Sequence, residues 1–213
     1  CILLDGRAVK TPSRKELLLP TEALAEVVAA EWNAQKDTID PRLMPLTKLA
    51  NTAIDGVSGR ETEVVADLMS FGGRDLICYR ATHPEELVER QNAVWDPLIC
   101  CAKDKLGAPF VITSGVMPVE QPKESISALR RSVEHLSSFR LAALHIMTTL
   151  TGSVILPLAH LSNQLSIDDC WSAAHIDEDF QIGRWGEDAE ARARRAARLA
   201  EMHSASTFFA LSV

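Results

Sequence analysis

The sequence predicts an α+β protein: a small N-terminal α+β domain over residues 1–58, followed by a larger helical domain over 59–213. Three observations carry this. Short β-type runs broken by turn residues fill the first twenty positions, apolar residues recur at helical spacing beyond residue 60, and Asp55-Gly56-Val57-Ser58-Gly59 separates the two regimes. At 213 residues, 46% hydrophobic and 24% charged, the chain can form one large domain or two small ones.

Ile2-Leu3-Leu4, the turn Asp5-Gly6 and Ala8-Val9-Lys10-Thr11 read as a hairpin. Glu16-Leu17-Leu18-Leu19 reads as a third strand, closed by Pro20. Thr21 is placed to cap a helix to about Gln35, with Glu22 in its first turn. Leu24, Val27, Val28 and Trp32 share one face of that helix, which puts Trp32 in the core. Pro41 and Pro45 predict a largely extended 38–48, with a short helix over 46–54.

Beyond the break, the apolar period predicts helices near 60–71, 85–106, 123–136, 139–151, 154–162, 166–176 and 185–203. Leu76-Ile77-Cys78-Tyr79 and Phe110-Val111-Ile112-Thr113 are short enough to be strands. They could extend the N-terminal sheet or pair with each other. Pro97 sits inside an otherwise helical pattern, so Trp95-Asp96-Pro97 implies either a kink or a helix that starts there. Trp95, Asp96 and Pro97 are read as structural, like Trp32.

Residues 141–161 contain no Asp, Glu, Lys or Arg, a length that could span a bilayer. His145, His160, Pro157 and a polar run up to Gly152-Ser153 argue instead for a buried helix pair. Gly152 is the stop of one helix and Ser153 the N-cap of the next. In the last helix Ala189, Ala193, Ala196, Ala197 and Ala200 form a small-residue stripe that would let another helix approach closely.

The net charge of −7 is local. Between Asp168 and Glu190 lie eight acids and one base, Arg184, which alone sum to −7. Nucleic acid is excluded as a partner, because phosphate binding needs clustered Lys and Arg. The one basic cluster, Arg192, Arg194, Arg195 and Arg198, follows acids on the same helix and suits i,i+4 pairing of Asp188–Arg192 and Glu190–Arg194. Five cysteines, an odd number without C-x-x-C, read as reduced thiols. Cys78, Cys100 and Cys170 lie in apolar runs and are expected to pack rather than react. The chain begins at Cys1 in mid-strand and is expected to lack its true N-terminus, which leaves a targeting peptide open.

The sequence carries no G-x-S-x-G, P-loop, G-x-G-x-x-G or H-E-x-x-H. His175-Ile176-Asp177-Glu178-Asp179 is the one cluster that could serve a hard metal ion or acid–base chemistry, and it carries the rival reading of a metal-dependent or acid–base enzyme. No second cluster supplies further ligands, so neither metal nor cofactor is expected. Gln181 and Trp185 either close a core around the last helix, the favoured reading, or form an anchor ringed by acids.

Many separated strings then resemble one family. They are Leu4-Asp5-Gly6-Arg7 with Lys10-Thr11-Pro12, Leu19-Pro20-Thr21, Glu31-Trp32 with Gln35, Met44-Pro45-Leu46-Thr47, Ala50-Asn51-Thr52-Ala53-Ile54-Asp55, Asp75-Leu76 with Cys78-Tyr79-Arg80, Gln91 with Trp95-Asp96-Pro97-Leu98, Gly115-Val116 with Gln121-Pro122, Leu141-Ala142-Ala143-Leu144 with Gly152-Ser153, and Asp177-Glu178 with Gln181, Trp185-Gly186 and Glu187-Asp188-Ala189-Glu190-Ala191. The order resembles the ATP-twelve family, chaperones for assembly of the F-type ATP synthase catalytic head. Phe71-Gly72-Gly73-Arg74 departs from the pattern, where a more ordinary helix end is expected.

The resemblance implies a non-enzyme that binds the unassembled alpha subunit and shields it from aggregation before it pairs with beta. It implies the bacterial cytoplasm or, in a eukaryote, the mitochondrial matrix, with no membrane insertion; a monomer is expected. The family's functional acid maps onto Glu178, with Asp177, Gln181, Trp185, Glu187 and Asp188 around it as the partner-binding set.

Overall fold

Asp5 and Gly6 turn the chain at positive φ, 50° and 76°, so that β1 (Leu3–Leu4) pairs antiparallel with β2 (Arg7–Ala8) in the register Leu3↔Ala8 and Leu4↔Arg7. The computed structural model describes residues 1–115 and 117–213; Val116, of the Gly115-Val116 pair, lies outside the described residues. The third strand does not form. Lys10 and Glu16 make a single antiparallel bridge, and the Leu17 N–H donates to the Val9 carbonyl, but only Leu17 is fully buried, Leu19 is half-buried and Leu18 stays exposed. One buried side chain is too little to hold a ladder.

Thr21 caps α1 (Glu22–Asn33) by accepting the Leu24 N–H, and Leu24 and Val28 are fully buried. Trp32 is only half-buried at the edge of that face, so it packs against the core rather than within it. From Pro41 on, this stretch is largely helical rather than extended: Pro41–Leu43 form a 3₁₀ turn capped by Asp40, and α2 spans Pro45–Asn51. Both prolines stand at the first helical position, where a missing N–H costs nothing. Glu31 completes the start of α2, its carboxylate accepting the N–H groups of Leu46 and Thr47 at 2.7 and 2.8 Å and the Thr47 hydroxyl at 2.7 Å.

The expected linker is also ordered. Thr52–Val57 form a π-helical turn that continues α2, burying Ala53 and Val57, while Asp55 accepts from the Thr11 hydroxyl and the Ser13 N–H. The buried cluster that holds Leu24, Val28 and Leu49 also holds Leu144, Met202 and Phe208, so it runs across residue 58 without a break.

Beyond Gly59, α3 (Glu61–Gly72), α4 (Glu85–Leu106), α5 (Lys123–Val133), α6 (Ser138–Thr151), α7 (Ile155–Leu161), α8 (Ile167–Ala174), α9 (Ile176–Trp185) and α10 (Ala189–Leu211) follow one another. Gly72 is where α5 comes closest to α3: a Cβ there would sit 2.6 Å from Leu129 Cδ1. That contact accounts for Gly72; at Gly73 a Cβ would meet only ordinary contacts, 3.5 Å from the Ser70 carbonyl. α4 runs unbroken through Pro97. Gly152, at φ 67°, ends α6, and the Ser153 hydroxyl accepts the Leu156 N–H to open α7. Among the described residues no helix is long and apolar enough to cross a membrane.

The two candidate strands pair with each other. β3 (Tyr79–Arg80) and β4 (Thr113–Ser114) lie parallel in the register Tyr79↔Thr113 and Arg80↔Ser114, preceded by a 3₁₀ turn at Leu76–Cys78. α9 was not expected as a helix, and α10 starts later than 185 and runs to Leu211. The alanine stripe of α10 faces solvent; its packed face is Met202, Ala205 and Phe208.

Candidate functional site

α9 opens on Asp177, Glu178 and Asp179, acids that favour a helix N-terminus, and has one buried side chain, Phe180. Gly186 ends it at φ 77°. Asp188 then caps α10 by accepting the Ala191 N–H at 2.8 Å, and that bond holds its carboxyl below the ordinary range. The two helix ends enclose a shallow notch of about 290 Å³ lined by Glu178, Gln181, Ile182, Trp185, Glu187 and Asp188, among others.

The notch brings together five of the six residues expected to bind a partner; the sixth, Asp177, is directed elsewhere. Trp185 is 76% exposed, which overturns its reading as a core residue. Five residues separate it from Phe180, about 140° around the helix, so burying one exposes the other. Glu187 is the most enclosed acid of the set: its side chain is 13% exposed, Oε2 lies 3.3 Å from Arg192 Nε, and Oε1 is buried with no hydrogen-bond partner.

Asp177 points to the other side of α9 and accepts from Gln91 Nε2 at 2.6 Å. Gln91, buried in α4, also accepts the Ala81 N–H at 2.8 Å. Beside it the Arg80 guanidinium donates to the Gln91 carbonyl at 3.0 Å and lies 5.0 Å above the Trp95 ring. Its Nη2 is 2.9 Å from Asp96 Oδ1 at an angle too poor for a hydrogen bond, and burial pulls the guanidinium below its ordinary range. Trp95 Nε1 donates to the Ala173 carbonyl at 2.8 Å. This network locks α4, β3, α8 and α9 together, and so sets the angle at which α9 presents the notch. Trp95 is buried within this network, Asp96 stands at its exposed edge, and Pro97 is exposed.

Much of the local acidity is matched by α10. Arg195 pairs with Asp179 and lies 3.7 Å from Glu178, Arg194 pairs with Glu190, and Arg192 takes Glu187 rather than Asp188, which is occupied as a cap. Arg184 reaches back to Glu86 at 3.5 Å. A long-range negative field is therefore weaker than the bare count suggests. What remains is short-range: an exposed indole beside carboxylates and one amide.

The rival cluster does not converge. His175 is buried, stacks on Trp171 at 3.8 Å and donates Nδ1–H to the Trp171 carbonyl; burial lowers its pKa. Its Nε2 is 3.9 Å from Glu178, while Asp177 goes to Gln91 and Asp179 to Arg195. Among the described residues no group of three or more His, Cys, Asp or Glu side chains is placed to hold a metal ion. Cys78 and Cys170 are buried, the latter with its thiol pushed up to about 12, but Cys100 is exposed, contrary to expectation.

Sequence reading missed Gln91, Arg80 and Arg195 as organisers of the site. A signal for Gln91 existed: Gln91, Trp95, Leu98 and Ala102 share one helical face, so an amide stood where an apolar residue was due. Arg195 offered none, because its partner lies 16 residues away on another helix.

This architecture recurs in solved structures. Atp12 from Paracoccus denitrificans is 46% identical with a TM-score of 0.93, covering 99% of this chain and 91% of that one. A protein from Agrobacterium tumefaciens is 44% identical with a TM-score of 0.94, covering 98% and 78%. A mitochondrial relative, atp12 of Schizosaccharomyces pombe, is 29% identical and is matched over 88% of this chain and 69% of its own length. Residues 1–103 match the family model described as ATP12 chaperone protein.

A small hairpin head on a helical body is thus the frame of a chaperone class. The chain belongs to the ATP12 chaperone family, whose work is assembly of the ATP synthase.

Proposed function

We propose that the chain acts without catalysis by binding the unassembled alpha subunit of the F-type ATP synthase and covering the surface that later meets beta. The observation that carries this reading is the notch between α9 and α10, where Trp185 stands exposed among Glu178, Gln181, Glu187 and Asp188. A large exposed aromatic ringed by polar groups is the composition of an interface anchor, not of an idle surface. An orphan subunit exposes apolar area that aggregates, and its cover must release when the true partner arrives. A small apolar anchor with salt-sensitive charges gives capture that is fast and reversible. A basic residue of the client would replace Arg195 at Glu178 and supply the donor that Glu187 Oε1 lacks.

We take the working form as a monomer. The bacterial cytoplasm is the favoured compartment, because the bacterial relatives are closer in sequence than the mitochondrial one. The chain divides near residue 58 into an α+β part and a helical part that share one core.

The test is co-expression with separate alpha and beta subunits, using wild type and Glu178→Lys. Selective capture of alpha, lost in the variant at unchanged folded content, supports the reading. Failure of folded wild type to capture either subunit overturns it, and melting of Glu178→Lys would make the acid structural.

A further inference from the structure

We infer a second binding site, for a small carboxylate carried on an apolar chain, in a pocket walled by α4, α5, the start of α6, α7 and the end of α10. The pocket holds about 420 Å³, within the range of small-molecule sites. Its walls are apolar: Leu98 and Ile155 are buried at the floor, and Leu158 and Phe209 are half-buried toward the opening. At roughly 30 Å³ per water-sized group it admits a chain of about a dozen heavy atoms.

Two cations line this apolar space, Lys105 and Arg140. Among the described residues neither makes an ion pair, in a chain where acids outnumber bases 29 to 22. The Arg140 guanidinium lies 4.8 Å above the Phe209 ring, and its Nε is buried with no acceptor. A buried donor without a partner is unfavourable until an acceptor arrives. The other polar groups are already engaged: the Ser132 hydroxyl donates to the Leu129 carbonyl, the Cys101 thiol to Gln164 Oε1, and Gln164 Nε2 to the Ser162 hydroxyl. Unmatched charge in the pocket is therefore positive, and the matching ligand has one anionic end and an apolar body.

The site is separate from the notch. Ala191 and Phe209 stand 18 positions apart on α10, about 27 Å along its axis, so the two can be read independently.

The experiment is titration of laurate, below its micelle concentration, into the full chain by calorimetry, with dodecanol as the uncharged control. Saturable 1:1 binding is expected, at least tenfold weaker for dodecanol. Lys105→Gln and Arg140→Gln should each weaken laurate binding about tenfold at unchanged circular dichroism, and Leu158→Trp should block it by filling the opening. Glu178→Lys should bind laurate as wild type does, so failure of the client reading leaves this result standing. Absence of saturable binding to folded wild type overturns the proposal, as does equal affinity for laurate and dodecanol. Should Arg140→Gln unfold, Lys105→Gln, at an exposed position, decides.

Discussion

Gln91 donates to Asp177 at 2.6 Å while accepting the Ala81 N–H at 2.8 Å, so one buried amide ties α9 to the end of β3. Gln91→Leu would leave the Ala81 N–H without its partner and Asp177 without its tether. The expected loss is about 1–3 kcal/mol, read by urea unfolding. Asp177→Ala should likewise affect stability more than capture, which separates it from Glu178. If Asp177→Ala abolishes capture at full stability, Asp177 belongs to the notch after all.

Trp185 gives the opposite pattern. At 76% exposure its replacement by Ala should leave stability within about 0.5 kcal/mol. Capture of the alpha subunit should fall by an anchor-sized step, about 2 kcal/mol or roughly thirtyfold. Binding measured against immobilised alpha subunit checks this, and unchanged affinity would remove the indole from the interface.

Trp32→Arg should destabilise, because the indole packs on the core and its Nε1 is already buried without a partner. Half-burial lets a guanidinium reach water, so the expected cost is modest, about 1–2 kcal/mol. An unchanged melting temperature would show that the face is solvent-facing in practice.

Asp75 predicts a pH dependence. Its carboxylate is fully buried and accepts the N–H groups of Ile77, Val154 and Ile155, yet burial dominates and pushes its pKa up to about 6. The unfolded chain releases the same proton near 3.9. The native state holds the proton more tightly, so this stabilisation is full below about pH 4 and is lost as pH rises through about 6. The whole effect is on the order of 3 kcal/mol. The stability difference between wild type and Asp75→Asn should therefore shrink from pH 4.5 to 7.5. A difference that grows over that range would mean the three donors outweigh burial.

Local signals in the sequence carried much of this. α4 was legible at both ends, and Gly152-Ser153 punctuated α6 and α7 as expected, because helix stops and caps act over a few residues. Where the reading failed, the deciding partner was distant. Pro41 and Pro45 looked like breakers but start helices, one of them held by Glu31. α9 was hidden by its charge, since its one buried residue, Phe180, gives no period to count. Trp185 was assigned inward from residue type and the alanine stripe from its spacing; the helix phase, fixed by Phe180 and by Met202, Ala205 and Phe208, turned them outward. The notch itself was foreseen as a residue set through family resemblance, not as a shape.

The cap of the first helix has a consequence for synthesis. The Thr21 hydroxyl that accepts the Leu24 N–H also donates to the Leu211 carbonyl, 190 residues further on. On a ribosome, the head emerges well before the helix that Thr21 reaches, 190 residues further along. The hairpin and α1 must therefore wait, incompletely packed, while the body forms. A chaperone of assembly thus passes through an unfinished stage of its own.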